Sequence, residues 1–313
     1  MAQYLEVIAL FGPTGVGKTG VAIALARRLR EQGESPVAVS ADALQVYSGL
    51  ETLTGAATAA QRAQLEHRLL SFLPVDATFS AGQYADLAHA EIDQLLAAGQ
   101  RPIVVGGTGL YLRAALTELS LRPPPPEGVR ERWTAELERH GPAALHATLA
   151  ARAPWAAAEI EPGDRQRIVR ALELLDAGEL EPPGGESELW TDAVRHPTVL
   201  VGLVSEREQL YRRIDERVDE MLALGVQEEV RRASAQGASI TARKALGFDE
   251  LLSGDVEAMK RRTRNYARRQ LTWMRKLAGV NELDTTGRTA EQTAAEIISL
   301  LAALRRTAAG GDR

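Results

Sequence analysis

The chain has 313 residues, 45% of them hydrophobic, with no cysteine and a formal net charge of −5. This length suits one large domain or two modest ones, and the lack of cysteine excludes disulfides, thiolate metal sites and a cysteine nucleophile. No apolar run approaches the roughly 20 residues of a membrane helix, and no signal-peptide pattern opens the chain, so we expect a cytoplasmic protein without a membrane partner.

Strand and helix signals alternate over the first hundred residues. An apolar stripe at Val21, Leu25 and Leu29 indicates a helix, and Ser80 with Gln83 forms a capping-box pattern that opens another. Short apolar runs predict three buried strands, at Leu5–Phe11, Val37–Ser40 and Ile103–Val105. This alternation predicts an α/β fold with a parallel sheet flanked by helices.

The character of the sequence changes after about Leu116. Proline-containing breaks at 123–126 and 182–185 flank an alanine-rich stretch that is typical of several helices, and Val199–Val204 is again strand-like. The simplest architecture is an α/β core with an all-helical insertion. We therefore predict a first part of the core at 1–116, the insertion at 117–196, a return to the core with basic C-terminal helices at 197–306, and a frayed tail at 307–313.

Residues 12–19 read Gly-Pro-Thr-Gly-Val-Gly-Lys-Thr, a complete Walker A pattern between a predicted strand and a predicted helix. Glycines let backbone N–H groups curl around an anion, and the helix N-terminus adds its positive end. Lys18 supplies a point charge, and the Thr19 hydroxyl can bind Mg²⁺. The pattern predicts a P-loop of the nucleotide-binding type without identifying ATP, and the predicted phosphate cradle comprises Gly12, Thr14, Gly15, Val16 and Gly17.

Two polar residues follow the other predicted strands. Asp42 ends the second strand, and Thr108 follows the third strand after Gly106-Gly107. Because the carboxyl ends of parallel strands share one edge of a sheet, both residues should face the P-loop in one cleft. Asp42 could then hold Mg²⁺ through water or act as a base. The alternative for both residues is a turn or helix-cap role.

The ordered set of motifs resembles the tRNA dimethylallyltransferase family, and the resemblance runs from Val7 to about Leu283. The resemblance implies transfer of a dimethylallyl group from dimethylallyl diphosphate to N6 of the adenine at position 37, next to the anticodon. The motifs that carry it are Gly12–Thr19, Asp42–Tyr47, Gly106–Tyr111, Asp164–Arg170 with Glu173, Arg213–Arg217 and Arg264–Trp273.

The resemblance also implies roles for individual residues. The P-loop would hold the diphosphate, with Mg²⁺ as cofactor at Thr19, and Arg217 would lie near the same diphosphate. Asp42 would accept a proton from the adenine amine, and Thr108 would position the reacting groups. The partner would be the anticodon stem-loop of tRNA, bound by a monomer, with contacts from Asp42, Ala43, Leu44, Gln45, Thr108, Arg130, Gln166, Arg167, Arg170, Arg243, Lys244, Gly247 and Phe248.

Three positions depart from the family pattern. Ala43 stands where the family has serine, the segment Thr54–Thr58 lacks the family's lysine, and Gly163 replaces an asparagine. These differences concern the contacts to adenine and tRNA rather than the chemistry.

Residues 260–276 carry eight Lys or Arg and no Asp or Glu. A helix with its arginines on other faces is predicted by one stripe of side chains, Met259, Thr263, Tyr266, Gln270, Trp273 and Leu277. Such a face is either solvated or in contact with phosphate, and arginine favours bidentate phosphate contact.

Three other functions share parts of this pattern. A P-loop kinase for a small metabolite needs the same Walker A motif and an acidic residue. An isopentenyltransferase acting on free AMP, ADP or ATP keeps the donor site without needing a large insertion. A non-catalytic RNA-binding switch would not need Asp42 and Thr108 to face the P-loop.

Overall fold

The structure is a computed structural model that describes residues 6–122, 126, 128–182 and 188–310. It divides into two compact units, Met1–Leu119 with Leu189–Arg313, and Ser120–Glu188. The strands are β1 Val7–Phe11, β2 Pro36–Ser40, β3 His67–Arg68, β4 Arg101–Gly106, β5 Thr198–Val204 and β6 Val280–Asp284. The helices are α1 Lys18–Glu31, α2 Glu51–Thr54, α3 Ala59–Gln64, α4 Ala81–Ala97, α5 Gly109–Leu116, α6 Val129–Arg152, α7 Pro154–Ala158, α8 Arg165–Asp176, α9 Arg207–Ala223, α10 Val226–Ala235, α11 Phe248–Ser253, α12 Val256–Met274 and α13 Ala290–Gly310.

The described part of the first unit forms a six-stranded parallel sheet in the order β3-β2-β4-β1-β5-β6. Every residue of β1 and β2 is buried, which explains why these strands are nearly continuous apolar runs. All strands point the same way, so their carboxyl ends share one edge. The predicted α/β fold with a parallel sheet flanked by helices is confirmed.

Two strands were not predicted. β3 has only two residues, too few for a periodic signal. β6 reads Val-Asn-Glu-Leu-Asp and buries only Leu283, because it lies at the edge of the sheet and pairs with β5 alone. An edge strand with one buried side chain lacks the apolar run by which the inner strands were found.

The second unit is helical, as predicted. Its core joins α6, α7 and α8 through Leu137, Leu149, Ile168 and Leu172. α6 bends where Gly141, in the left-handed region at φ 78°, precedes Pro142. Of the predicted breaks that flank this unit, residues 123–125 and 183–185 lie outside the described part of the chain.

The residues that follow the second unit belong to the first unit earlier than predicted. The Trp190 ring centroid lies 4.7 Å from that of Trp273 on α12. Arg195 pairs with Asp93 and Glu118. Each contact joins side chains that are distant in sequence, so a chain-order argument that placed the boundary at 196 had no access to them.

The last helix is longer than predicted. We expected a frayed tail from Thr307, whereas α13 continues to Gly310. Its buried Ala294, Ile297 and Leu301 pack on the core cluster that contains α1, and no glycine or proline interrupts it before Gly310. No helix of the described residues is both long and apolar enough to span a membrane.

Candidate active site

The P-loop connects β1 to α1 as the Walker A pattern predicts. Gly15 and Gly17 adopt left-handed backbone conformations, at φ 81° and 99°, where a side chain would be strained. At Gly15 a Cβ would also approach Cγ1 of Ile214 to 2.9 Å. α1 begins directly at Lys18 with no acidic residue in its first turn. The loop therefore presents a helix N-terminus that is open to an anion.

Lys18 folds back over the loop that carries it. Its Nζ donates to the carbonyl oxygens of Gly12, at 2.8 Å, and Pro13, at 3.0 Å. The pKa of Lys18 is lowered to about 8, chiefly by burial and also by the charge of Arg217, while the charge of Asp42 opposes the shift. An anion beside this ammonium would favour its charged form.

Asp42 follows β2 at the sheet edge, as predicted. Its Oδ1 accepts a hydrogen bond from the amide of Leu44 at 3.0 Å, so the turn role that we weighed is real. Burial raises the pKa of Asp42, against the lowering effects of the Leu44 amide, Lys18, the Gln45 amide and Arg217. The carboxylate is thus both a turn residue and a base stronger than an exposed aspartate.

Thr108 lies within reach of the Asp42 loop. Its Oγ1 is 3.5 Å from the amide nitrogen of Ala43 and 3.4 Å from the hydroxyl of Tyr266. The pKa of Tyr266 is raised to about 12, chiefly by burial and also by the charge of Asp42, against the lowering effects of Thr108 and Arg269. Tyr266 therefore keeps its proton at neutral pH and can act as a hydrogen-bond donor here.

Arg217 reaches the same place from α9. Its Nη2 lies 3.4 Å from the carbonyl oxygen of Gly55, and a Cβ at Gly55 would come within 1.4 Å of that nitrogen. Burial lowers the pKa of Arg217, and Asp42 opposes the shift. Gly55 belongs to the segment that differs from the family pattern, and its lack of a side chain leaves room for the Arg217 guanidinium.

One cavity joins these groups. Its volume is about 660 Å³, and its polar end includes Lys18, Thr19, Asp42 and Arg217. The rest of its wall is mixed, and its apolar side chains include Leu53, Ile214, Val218, Met221 and Met259. A cationic end beside a group of apolar side chains suits an amphiphilic molecule with a phosphorylated head.

The loop after Asp42 is fixed by its own hydrogen bonds. Gln45 Nε2 donates to the carbonyl oxygens of Thr54 and Gly55, at 3.4 and 3.3 Å. Gln45 and Leu44 line the cavity, as their predicted substrate contact requires. Ala43 reaches the site through its backbone amide.

The segment 243–248 is only partly accessible. Phe248 is fully buried, so the prediction that its side chain contacts tRNA does not fit its place in the core. Gly247 has φ 93°, and a Cβ there would meet Met259 Sδ at 2.6 Å. Arg243 stacks over the Phe248 ring at 5.2 Å and pairs with Asp249. Of the predicted residues here, only Arg243 and Lys244 offer side chains to an anion.

Four predicted tRNA contacts lie in the second unit. Arg130 binds the buried carboxylate of Glu173 through two hydrogen bonds, at 2.7 and 2.9 Å. Arg170 donates to the same carboxylate at 3.1 Å. Arg167 is exposed beside Asp164, and Gln166 is exposed. Arg130 and Arg170 therefore already serve the packing of this unit.

The basic side chains of residues 260–276, which cover most of α12 and the two residues after it, fall into two groups. Lys260, Arg262 and Arg264 pair with acidic residues. The other five are exposed and have no acidic partner among the residues that the structure describes. These five, which we call the basic face, are Arg261, Arg268, Arg269, Arg275 and Lys276.

Tyr266 and Gln270 are residues of the site that the sequence analysis assigned only to the packing stripe of the helix. Tyr266 contacts Thr108, and Gln270 contacts both the P-loop and Gly107. A helical stripe of mixed apolar and polar residues marks a face that meets other elements, but it cannot show that those elements are catalytic loops. The polar members of the stripe were the available signal.

Comparisons with known proteins agree with this geometry. Residues 45–277 match the family model described as IPP transferase. The chain is 43% identical to the tRNA dimethylallyltransferase of Kineococcus radiotolerans, over 87% of this chain and 88% of that protein. It is 41% identical to the enzyme of that name from Thermobifida fusca, over 86% and 87%.

Solved structures resemble the whole chain. The full-length tRNA isopentenylpyrophosphate transferase of Bacillus halodurans aligns with a TM-score of 0.70 at 31% identity, covering 98% of this chain and 99% of that one. A eukaryotic dimethylallyltransferase acting on tRNA aligns with a TM-score of 0.68 at 25% identity, covering 90% and 74%.

Proposed function

This chain belongs to the IPP transferase family, and from that membership we infer that it is an enzyme that modifies tRNA by prenyl transfer. We propose that the donor is dimethylallyl diphosphate and that the acceptor is N6 of the adenine at position 37. The products would be N6-(dimethylallyl)adenosine in tRNA and free diphosphate.

The observation that carries this proposal is the single cavity that contains a phosphate cradle, a buried carboxylate and a group of apolar side chains. Lys18 and Arg217 stand at its polar end, and Val218 and Met221 line its wall. A kinase needs the first two features, whereas a group of apolar side chains next to them suits a short prenyl group. This combination favours prenyl transfer over phosphoryl transfer.

The cationic end supports departure of diphosphate. When the C1–O bond of an allylic diphosphate breaks, the negative charge collects on the leaving oxygens. Two half-buried cations stabilise that charge more than fully exposed ones would. Lys18 and Arg217 are held there before reaction by the carbonyls of Gly12, Pro13 and Gly55.

Asp42 acts on the acceptor, the adenine amine. The adenine amine is a weak nucleophile because its lone pair is delocalised into the ring. As the N6–C1 bond forms, N6 becomes acidic and its proton passes to the carboxylate of Asp42. Burial raises the pKa of Asp42 and so strengthens this base. Thr108 and Tyr266 supply hydroxyl groups that orient the adenine.

The base must leave its stack to enter a cavity of this kind, so we infer that adenine 37 is flipped out of the anticodon loop. The basic face of α12 offers unpaired arginines to the phosphates of the same tRNA. Phosphate contacts of this kind fix the register of the nucleic acid without reading its sequence.

The site also fits a Mg²⁺ ion. The hydroxyl of Thr19 and the carboxylate of Asp42 line the same cavity, and Mg²⁺ takes oxygen ligands from protein, phosphate and water together. Thr19 would hold the ion, with Asp42 acting through water. Bound there, the ion would neutralise charge on the diphosphate.

We further propose that the enzyme acts in the cytoplasm as a monomer. The lack of cysteine suits a reducing compartment.

Incubation with labelled dimethylallyl diphosphate and either bulk tRNA or AMP tests the function. We expect label in tRNA and none in AMP. Label in AMP alone would identify an enzyme for free nucleotides. Phosphate transfer from ATP without prenyl transfer would identify a kinase, and no transfer with nucleotide-dependent tRNA binding would identify a switch.

Asp42→Asn tests the assigned base. The change keeps the size of the side chain, and its carbonyl oxygen can still accept from Leu44. We expect kcat to fall about 100-fold or more, the usual scale of acid–base catalysis, with little change in tRNA affinity. A loss of donor affinity that extra Mg²⁺ restores would assign Asp42 to the metal instead. An unchanged single-turnover rate with a lower Tm would leave it only the turn role.

A further inference from the structure

Gln270 joins two loops of the site from the buried side of α12. Its Oε1 accepts a hydrogen bond from the amide of Thr14 at 2.8 Å. Its Nε2 donates to the carbonyl oxygen of Gly107 at 2.7 Å. The side chain is only 4% exposed, so both bonds are shielded from water. One amide therefore links the P-loop to the loop that follows β4.

We propose that Gln270 is a positioning residue that sets the separation between the leaving-group cradle and Thr108. This inference rests on the prenyl transfer proposed above. Gly107 directly precedes Thr108, so a shift of its carbonyl moves the Thr108 hydroxyl. The other loop that the amide contacts is the P-loop, which contains Thr14 and Lys18. The bridge thus spans the two groups between which the prenyl carbon must travel.

The chemistry of the two partners requires this residue type. One partner is an N–H and the other a C=O, so the bridging group needs an acceptor and a donor side by side. An amide has both, and these partners fix which end is oxygen. An ionised glutamate would accept from Thr14 but would face the Gly107 carbonyl with a second acceptor. Methionine fills a similar space and makes neither bond.

The close approach at Gly107 is independent support. A Cβ at Gly107 would lie 2.3 Å from Gln270 Nε2, 3.2 Å from the Gly12 oxygen and 3.2 Å from Lys18 Nζ. Position 107 therefore has to lack a side chain for the amide, the P-loop and the lysine to meet. Gly107→Ala disturbs the same bridge from the opposite side.

The bridge should matter for reaction more than for binding. The donor's diphosphate binds to the P-loop, which Gln270 contacts at one amide only. The reaction depends on the distance from that diphosphate to the acceptor, and a misplacement of about 1 Å can cost about 100-fold in rate. We expect kcat to fall while diphosphate affinity changes little.

The test compares Gln270→Met and Gln270→Glu with a control amide outside the site. Asn281 donates to the carbonyl of Leu200 in the sheet at 3.1 Å, so Asn281→Leu removes an amide–backbone bond elsewhere. Each variant is measured for single-turnover transfer at saturating tRNA and donor, for affinity to inorganic pyrophosphate by calorimetry, and for Tm.

For Gln270→Met we expect transfer to fall about 30-fold or more, on the scale that misplacement produces, with pyrophosphate affinity within about threefold. Gln270→Glu should also transfer slowly, but its rate relative to wild type at the same pH should rise as pH falls. The protonated carboxyl can then donate to the Gly107 carbonyl. Lys18 next to this loop opposes that protonation, so recovery should come at the acid end. Asn281→Leu should lower Tm and leave transfer intact, and Gly107→Ala should reproduce the slow transfer.

Wild-type transfer by Gln270→Met, or a Gln270→Glu deficit that pH does not change, would overturn the positioning role. Loss of pyrophosphate affinity in step with transfer would also overturn it and make Gln270 part of the phosphate site. If the wild-type protein itself moves no label from dimethylallyl diphosphate to tRNA, the proposed function fails, which is a different outcome.

Discussion

The second unit and the α12 segment each carry eight basic side chains, and the structure uses them in opposite ways. All eight arginines of residues 120–188 lie in described positions, and each pairs with a carboxylate. In residues 260–276 only three of the eight do so among the described residues. Arginine content alone therefore does not identify a phosphate-binding surface.

The net charge of the second unit also differs from that of the α12 segment. Residues 120–188 hold eight arginines against 13 acidic residues, a net charge of −5. Much of that acidity holds the helices of the unit together. Asp176 accepts from Arg132, Arg152 and Trp133 Nε1, and Glu173 accepts from two further arginines. Paired arginines thus stabilise this unit, whereas the basic face has no acidic partner among the described residues and is the surface that we propose for tRNA phosphates.

The largest expected effect comes from reversing charge on the basic face. Arg268→Glu with Arg275→Glu should weaken tRNA binding about 100-fold near 0.1 M salt, because two phosphate contacts become repulsive. The matched control reverses two arginines of the second unit that are equally exposed, Arg139 and Arg167. It should lose less than about fivefold, since each already has an acidic partner.

Filter binding across a salt series measures both pairs. A greater loss of tRNA affinity from reversing Arg139 and Arg167 than from reversing Arg268 and Arg275 would show that paired arginines bind tRNA more strongly than the basic face. It would also support the sequence-based assignment of Arg167 to tRNA.

The next effect concerns stability. Glu173→Gln should destabilise the second unit by about 2 kcal/mol, because the buried carboxylate anchors Arg130 and Arg170 through charge-assisted bonds. Hydrogen exchange localised to α6 and α8 measures this loss. Equal exchange in variant and wild type would mean that these ion pairs do not support the packing of α6 against α8.

Deleting residues 120–188 behind a short linker should weaken tRNA binding about tenfold while leaving most of the salt dependence, because the counterions are released mainly at α12. The cut keeps Trp190 and Arg195, whose contacts belong to the first unit. Pyrophosphate binding serves as the folding control. A flat salt dependence after deletion would place the phosphate contacts in the second unit.

The smallest effect is a pH dependence. Burial acts to raise the pKa of Glu173, but hydrogen bonds from Arg130 and Arg170 outweigh it and lower the pKa. The pKa of Asp176 is lowered in the same way by Arg152 and Trp133. A lowered folded-state pKa gives stability that is present above the unfolded value and is lost as pH falls through the folded value.

Acidification below about pH 4.5, the ordinary glutamate range, should therefore open α6 and α8 before the sheet. Hydrogen exchange corrected for intrinsic rates follows both regions at once. Simultaneous opening would show that these carboxylates contribute no more than those of the first unit.

Prediction from sequence succeeded where the signal is local and failed where it depends on contacts distant in the chain. Apolar runs in the sequence predict the inner strands, and the P-loop is one contiguous motif from Gly12 to Thr19. Asp42 and Thr108 were found because strand ends in a parallel sheet share one edge. β6 and the boundary near Trp190 were missed because an edge strand buries little and because aromatic contacts across the fold leave no periodic trace. Arg130 was assigned to tRNA from the family resemblance, although its guanidinium already binds the carboxylate of Glu173.

The sequence by itself determined the α/β class, the phosphate cradle, the helical nature of the insertion and the family resemblance, because each of these rests on short-range patterns. Only the tertiary structure decided which charges are paired, where Arg217 meets Gly55, and that Gln270 bridges Thr14 and Gly107. Those facts depend on groups that only the fold brings together, as when Gln270 meets Thr14 and Gly107 across more than 100 residues of chain. Their energies come from burial and partner geometry, which no local pattern contains.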